Sequence, residues 1–267
     1  GDAGIAVEAV GDGVPVVLLH AGVADRRMWG AQVAALATAG FRAIAYDRRG
    51  FGETLHADDA YSQVGDLVAV LDACAPCAPA ILVGCSQGGR IAIDAALSHP
   101  ERVSGLLLVA PAISGAPERS SLPPAIQAWI DRVERAEAAS DTDRINALEA
   151  HAWLDGPLER EGRVGGAARE LFLAMNEIAL RADVRGTEIE APSAWNRLSD
   201  LDAPALVAWG DLDFPSVVET CEHLATTIRG ARRHVFADAA HLPNLEQPAA
   251  FNRVLLDFCA SGAVRRA

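Results

Sequence analysis

Ser86 stands in Gly84-Cys85-Ser86-Gln87-Gly88, directly after the apolar run Ala80-Ile81-Leu82-Val83 and just before the helix-like run Arg90 to Leu97. A serine on a sharp strand-to-helix turn takes sparsely populated backbone angles and exposes its hydroxyl, so the residues two before and two after it must be small. Gly84 and Gly88 hold those two places. A serine hydroxyl is barely nucleophilic near neutral pH. It needs a general base, usually a histidine oriented by a carboxylate. Chains built on such a turn present these groups in the order serine, acid, histidine. The chemistry this would support is acyl transfer.

Seven histidines compete for the role of base. His241, in Ala239-Ala240-His241-Leu242-Pro243, follows the last predicted strand, which puts it at the carboxyl edge of a sheet, where open α/β sheets hold their chemistry. His99 precedes a proline at a helix end, and His223 and His234 fall inside a predicted helix and strand, where surface or structural roles suit them better. The acid is expected after the strand Leu206–Trp209, in Gly210-Asp211-Leu212-Asp213-Phe214-Pro215. Asp213 lies further past the strand end, towards the histidine loop. Asp211 is more easily explained as a turn residue bonding its own backbone. The residues favour Asp213 and leave Asp211 open. An oxyanion would need backbone donors. Gln87 supplies one at the start of a helix, whose dipole favours negative charge. The loop His20-Ala21-Gly22-Val23 is expected to supply the other, with Gly22 the first choice and Val23 the second.

Short β-rich apolar runs alternate with longer helical patterns, which predicts an α/β fold with a mostly parallel sheet flanked by helices. The strands are expected at Val14–His20, Ala43–Tyr46, Ile81–Gly84, Leu106–Val109, Leu206–Trp209 and Arg233–Phe236. Helices are expected at Met28–Ala39, Ser62–Ala73, Gln87–Ser98, Val217–Ile228 and Ala249–Cys259. From Ile113 to about Asn196 no good strand is legible, and helices are expected near Ala125–Ala138, Arg144–Leu154 and Ala167–Leu180. Residues 113–196 therefore read as an inserted helical cap on a core formed by 1–112 and 197–267. The cap offers Trp129, Trp153, Phe172, Met175 and Trp195 for an apolar pocket, and Arg144, Arg169 and Arg181 for a substrate carboxylate. Core packing and solvated helix faces account for the same residues equally well.

The 267 residues carry a formal net charge of -13, and all 23 basic residues are arginine. An acidic surface repels phosphate backbones and anionic headgroups, so a small-molecule substrate is expected, with neither nucleic acid nor membrane as partner. Self-association into a homo-oligomer is left open. Five cysteines, an odd number, argue against a disulfide framework. Cys74-Ala75-Pro76-Cys77 has redox-motif spacing but ends a predicted helix and opens a turn, so a structural role is expected. No run reaches the length of a membrane-spanning helix and no signal peptide is legible, which gives a cytoplasmic expectation.

Taken together these motifs resemble the α/β-hydrolase superfamily in its capped serine-hydrolase branch. The resemblance rests on Leu18-Leu19-His20-Ala21-Gly22 with Trp29, Tyr46-Asp47-Arg48-Arg49-Gly50-Phe51-Gly52, Gly84-Cys85-Ser86-Gln87-Gly88-Gly89, and His99-Pro100-Glu101-Arg102-Val103. It closes with Trp209-Gly210-Asp211-Leu212-Asp213 and Ala240-His241-Leu242-Pro243-Asn244-Leu245-Glu246-Gln247-Pro248. The resemblance places the acid on Asp213 and implies bracing roles for Asp47, Arg49 and Glu246. Ala21 departs from the usual glycine of the oxyanion loop, and serine at position 86 excludes the branch that uses aspartate there. The run from Asp238 to Pro248 resembles 3-oxoadipate enol-lactonases. The implied activity is hydrolysis of a carboxylic ester or lactone through an acyl-enzyme, without metal or organic cofactor. A carbon–carbon (meta-cleavage) hydrolase and a cofactor-free perhydrolase or haloperoxidase share the constellation, although Leu242 weighs against the former. A ligand-sensing receptor on a hydrolase scaffold is the alternative from another class.

Overall fold

Continuous apolar strands stay out of water only when helices cover both faces of their sheet, and this chain folds accordingly. The computed structural model describes residues 4–261 apart from 56, 77, 118–121, 184 and 185. In chain order the strands are β1 (Val7–Val10), β2 (Pro15–Leu19), β3 (Arg42–Tyr46), β4 (Ala60–Tyr61), β5 (Ala80–Cys85), β6 (Val103–Val109), β7 (Thr187–Glu188), β8 (Ala205–Gly210) and β9 (Arg232–Phe236). The helices are α1 (Gly30–Thr38), α2 (Gln63–Cys74), α3 (Gln87–Ser98), α4 (Pro124–Ala138), α5 (Thr142–Ala150), α6 (Gly166–Arg181), α7 (Pro215–Thr227), α8 (Pro243–Glu246) and α9 (Pro248–Ala260). The main sheet has the order β1-β3-β2-β5-β6-β8-β9. Its pairs are parallel except β1 on β3.

Alternate residues of the central strands feed two apolar layers. Val16, Leu18, Ile81, Val83, Leu107 and Val109 pack with Trp29, Leu36, Phe251 and Leu255 on the α1/α9 face. Val17, Leu19, Leu82, Leu106 and Leu108 pack with Leu67, Ile91 and Leu224 on the α2/α3/α7 face. Helices α4, α5 and α6 occupy the chain between β6 and β8, and Ala150, Leu154, Phe172 and Met175 join the α1/α9 layer.

The structure departs from the sequence reading in several places, among them the short helix Pro243–Glu246, which no sequence pattern announced. Strand β1 is an exposed edge strand with no buried residue to announce it. Thr187–Glu188 is a strand inside the stretch read as strand-free, paired in parallel with Ala60–Tyr61. The helix read over 28–39 begins instead with a 3-10 turn, Arg26–Trp29, capped by the Asp25 carboxylate on the Arg27 N–H at 3.0 Å. The helix read over 144–154 stops at Ala150 and continues as a π turn, His151–Asp155, ended by Gly156 at φ 102.

Cys74 is a half-buried free thiol at the end of α2, and Cys77 lies outside the described residues. Among the described residues no helix is long and apolar enough to cross a membrane.

Candidate active site

Sheet register decides which loops meet. Leu19 pairs with Gly84 and Gly84 with Leu108, Val109 pairs with Ala208, and Gly210 with Phe236. The loops leaving β2, β5, β6, β8 and β9 therefore emerge side by side at the carboxyl edge, flanking the point where the chain order reverses around β2. Ser86 sits on the turn from β5 to α3 at φ 53, ψ −115, a left-handed conformation that a side-chain-bearing residue holds only under external constraint. Its N–H donates to Val109 O at 2.9 Å, and its carbonyl accepts from Ala112 N–H at 3.0 Å and Arg90 N–H at 3.1 Å. The turn also depends on close backbone approach: a Cβ at Gly84 would lie 2.4 Å from Gly88 O, and one at Gly88 would lie 2.2 Å from Leu19 O. These contacts are why small residues flank the serine.

Beyond β8, Asp213 is only 4% exposed, and beyond β9, His241 only 2%. The Asp213 Oδ2 lies 2.7 Å from His241 Nδ1, while Oδ1 accepts the Phe214 N–H at 2.7 Å. Asp211 is exposed and reaches sideways instead, accepting the Asp238 N–H at 2.8 Å. Of the two aspartates, Asp213 meets the imidazole. The His241 carbonyl lies 3.7 Å from the thiol of Cys85, the residue preceding Ser86, so the histidine loop packs on the Ser86 turn. Burial pushes the Cys85 thiol well above its ordinary range, with Asp213 adding to the effect, so it stays protonated and unreactive at neutral pH.

The histidine loop is tied down from outside the sheet. Glu246 accepts the Ala240 N–H at 2.7 Å and pairs with Arg163, from the turn before α6. Arg163 also donates to Asp238 O and Leu154 O, each at 3.0 Å. Burial raises the Glu246 carboxyl above the ordinary range, and the Arg163 bond opposes that shift. Asp47 and Arg49 act as braces on the neighbouring loop. Asp47 accepts the Arg26 and Glu53 N–H groups at 2.7 and 2.9 Å, and Arg49 holds Asp59 and Asp66.

Among the described residues the backbone N–H groups of Gly22, Val23 and Gln87 have no hydrogen-bond acceptor, so Gly22 and Val23 both stay open as the second donor beside Gln87. They lie on adjoining loops. A Cβ at Gly22 would be 2.8 Å from Gln87 Nε2.

Of the five aromatic or sulfur side chains read as pocket lining, Trp153 lies over the His241 ring with centroids 4.6 Å apart. Trp129 stands edge-on to Trp153 at 6.4 Å and fixes its indole N–H on Leu148 O at 3.0 Å. Met175 and Phe172 are buried in the core layer. Trp195 is not brought to this edge. It stacks on His223 of α7 at 4.5 Å, next to the opposite layer. Phe214 was not singled out from the sequence, although its place immediately after Asp213 is a usable signal. Its ring contacts Trp153 at 4.6 Å and Trp129 at 5.6 Å. Trp153 lies within the π turn His151–Asp155, a local change of helical register of a kind frequent at functional sites. Of the arginines, Arg169 is held by Asp155 and Arg181 by Glu177 and Asp143. Among the described residues, no group of three or more His, Cys, Asp or Glu side chains is placed to hold a metal ion.

The same architecture recurs in known proteins. RutD of Variovorax paradoxus (strain S110), named as a candidate carbamate hydrolase, is 32% identical over 95% of this chain and 94% of its own. A 2-hydroxy-6-oxononadienedioate/2-hydroxy-6-oxononatrienedioate hydrolase of Comamonas testosteroni is 28% identical over 94% of this chain and 90% of its own. A solved thermophilic esterase from Thermogutta terrifontis superimposes with a TM-score of 0.76 at 27% identity, covering 98% of this chain and 94% of that one. The sequence profile of the α/β hydrolase family matches residues 16–254. With its parallel sheet and strained strand-to-helix turn, the chain belongs to the α/β hydrolase family.

Proposed function

We propose that the chain is a serine esterase or lactonase that cleaves a carboxylic ester or lactone of a small, largely apolar substrate through an acyl-enzyme. The buried Asp213–His241 pair at 2.7 Å carries the reading. An ionised carboxylate only accepts hydrogen bonds, so the imidazole proton sits on Nδ1 and Nε2 is left as a base. Nε2 takes the Ser86 proton as the hydroxyl attacks the carbonyl, and Asp213 stabilises the imidazolium. The Gln87 and Gly22 N–H groups, without an acceptor among the described residues, bind the oxyanion. His241 then protonates the leaving alkoxide and activates the water that releases the acid. The preference for an apolar substrate is supported by the wall of Trp153, Phe214 and Trp129.

Hydrolysis of p-nitrophenyl butyrate tests the reading. Ser86→Ala and His241→Ala should each lose at least about 10³-fold in kcat. A fluorophosphonate probe should label the wild type and spare Ser86→Ala. Activity and labelling that persist in Ser86→Ala would refute it. The Comamonas relative favours a second reading, carbon–carbon cleavage. A 2-hydroxy-6-oxo-2,4-dienoate turned over faster than any ester would establish that instead.

A further inference from the structure

Arg48 is only 2% exposed, and no ion pair joins it to a carboxylate among the described residues. Its guanidinium donates from Nη1 to Gln87 Oε1 at 2.9 Å and from Nη2 to Ala21 O at 3.2 Å, and lies 4.3 Å from the Phe51 ring centre. Burial lowers its pKa to about 10, which leaves it a cation at neutral pH. A buried cation with no carboxylate in contact, Glu188 acting on it from further off, is an expensive filler for a core, where a methionine would serve better. The two groups it grips are informative. Among the described residues the Gln87 N–H has no acceptor, and Ala21 shares its peptide unit with another such N–H, that of Gly22.

We propose that Arg48, with His20, is a positioning residue for the oxyanion hole: together they fix the Ala21–Gly22 amide so that its N–H points at the oxygen of the tetrahedral intermediate. The inference rests on the reading of Ser86 as nucleophile. A trans peptide is planar, so the direction of its carbonyl fixes the opposite direction of its N–H. The Ala21 carbonyl is held by His20 Nδ1 at 2.8 Å, Arg48 Nη2 at 3.2 Å and the Ala24 N–H at 3.3 Å. The Arg48 N–H donates to His20 Nε2 at 3.0 Å, which requires that nitrogen to be bare and puts the His20 proton on Nδ1, facing Ala21 O. Burial keeps this imidazole neutral. Three donors on one oxygen, one of them cationic, polarise the amide and make the Gly22 N–H a stronger donor. The second grip of Arg48 sets the Gln87 side chain against Gly22, where a Cβ would come within 2.8 Å of Gln87 Nε2. One side chain thus couples the two loops that supply the two donors. With the carbonyl pinned in this way, the loop keeps its course with Ala21 where the family usually has glycine.

The test compares wild type, Arg48→Met and Arg48→Lys by kcat and KM on p-nitrophenyl acetate and by the Ki of an alkyl trifluoromethyl ketone, which adds to the serine as a tetrahedral oxyanion. Removing a whole oxyanion donor costs about 10²- to 10³-fold in kcat, so misaiming one should cost about 10- to 100-fold. In Arg48→Met we expect that loss in kcat, a parallel rise in Ki and a KM within threefold of wild type. Values of kcat and Ki near wild type, or KM rising in step with Ki, overturn the proposal. If circular dichroism finds Arg48→Met unfolded, Arg48→Lys decides. Lysine keeps the charge but reaches one acceptor at a time, so a three- to tenfold loss in kcat with a matching rise in Ki is expected, and wild-type values overturn. Ser86→Ala separates the two levels. An active Ser86→Ala refutes the underlying reading, whereas an inactive one beside an unimpaired Arg48→Met refutes the role of Arg48 alone.

Discussion

Replacing Asp213 by asparagine preserves the shape of the acid and removes its charge. In the native arrangement Oδ2 accepts from His241 Nδ1 at 2.7 Å and Oδ1 accepts from the Phe214 N–H at 2.7 Å. Asparagine has one acceptor oxygen. If it keeps the Phe214 bond, its NH₂ faces the imidazole, which must then present a bare Nδ1 and carry its proton on Nε2. That tautomer cannot take the proton of Ser86. The same exchange in a serine protease costs about 10⁴ in kcat, equivalent to about 5 kcal/mol of transition-state stabilisation. We expect a comparable loss in kcat on p-nitrophenyl butyrate, with KM changed less than threefold and the thermal midpoint largely retained. Asp211→Asn is the internal control. Its carboxylate is exposed and accepts one backbone N–H at 2.8 Å, a bond asparagine can also accept, so activity should stay within twofold. An Asp213→Asn enzyme keeping more than a tenth of wild-type kcat, or an equal loss in both variants, would refute the assignment of the acid.

Three further outcomes follow from the geometry. Gly88→Ala places a methyl 2.2 Å from Leu19 O, a backbone atom unable to step aside, and should cost about 3 kcal/mol or more in urea unfolding; an unchanged midpoint would contradict the packing. Trp153→Ala opens the wall beside His241, so the gain in kcat/KM from acetate to butyrate esters, at most about 0.8 kcal/mol per methylene, should flatten, and a chain-length profile like that of wild type would place the acyl group elsewhere. Asp94 lies on α3 with Ser114 Oγ donating to Oδ2 at 2.6 Å, and burial raises its pKa. A carboxyl whose folded pKa lies above its unfolded value costs stability once the pH rises past the unfolded value of about 4. Asp94→Asn should therefore raise the thermal midpoint relative to wild type at pH 8, and the gain should vanish as the pH falls towards 4; a gain independent of pH would show that burial of the charge is not its cause.

The parts legible in sequence were those with a local physical signature. Unbroken apolar runs marked β2, β3, β5, β6 and β8 to within a few residues, because strands covered on both faces exclude polar side chains. Gly84 and Gly88 pointed to the turn at Ser86 because backbone crowding leaves little other choice. What was not legible depends on partners distant in the chain. The exposed strand Val7–Val10 exists because β3 offers an open edge, and Thr187–Glu188 is a strand only by pairing with Ala60–Tyr61. Trp153 and Trp195 look alike in the sequence. The first lies in a π turn against His241, and the second stacks on His223. Arg48 is written as part of a loop motif, and its grip on Ala21 and Gln87 emerges only when β2, β3 and β5 lie side by side.

Arg163 stitches the roof over the aromatic wall to the strip of chain bearing the imidazole, through Leu154 O on one side and Asp238 O and Glu246 on the other. One side chain therefore fastens separate stretches of the chain to a buried carboxylate, and its removal would leave Glu246 without this cation while Ala240 still leans on it.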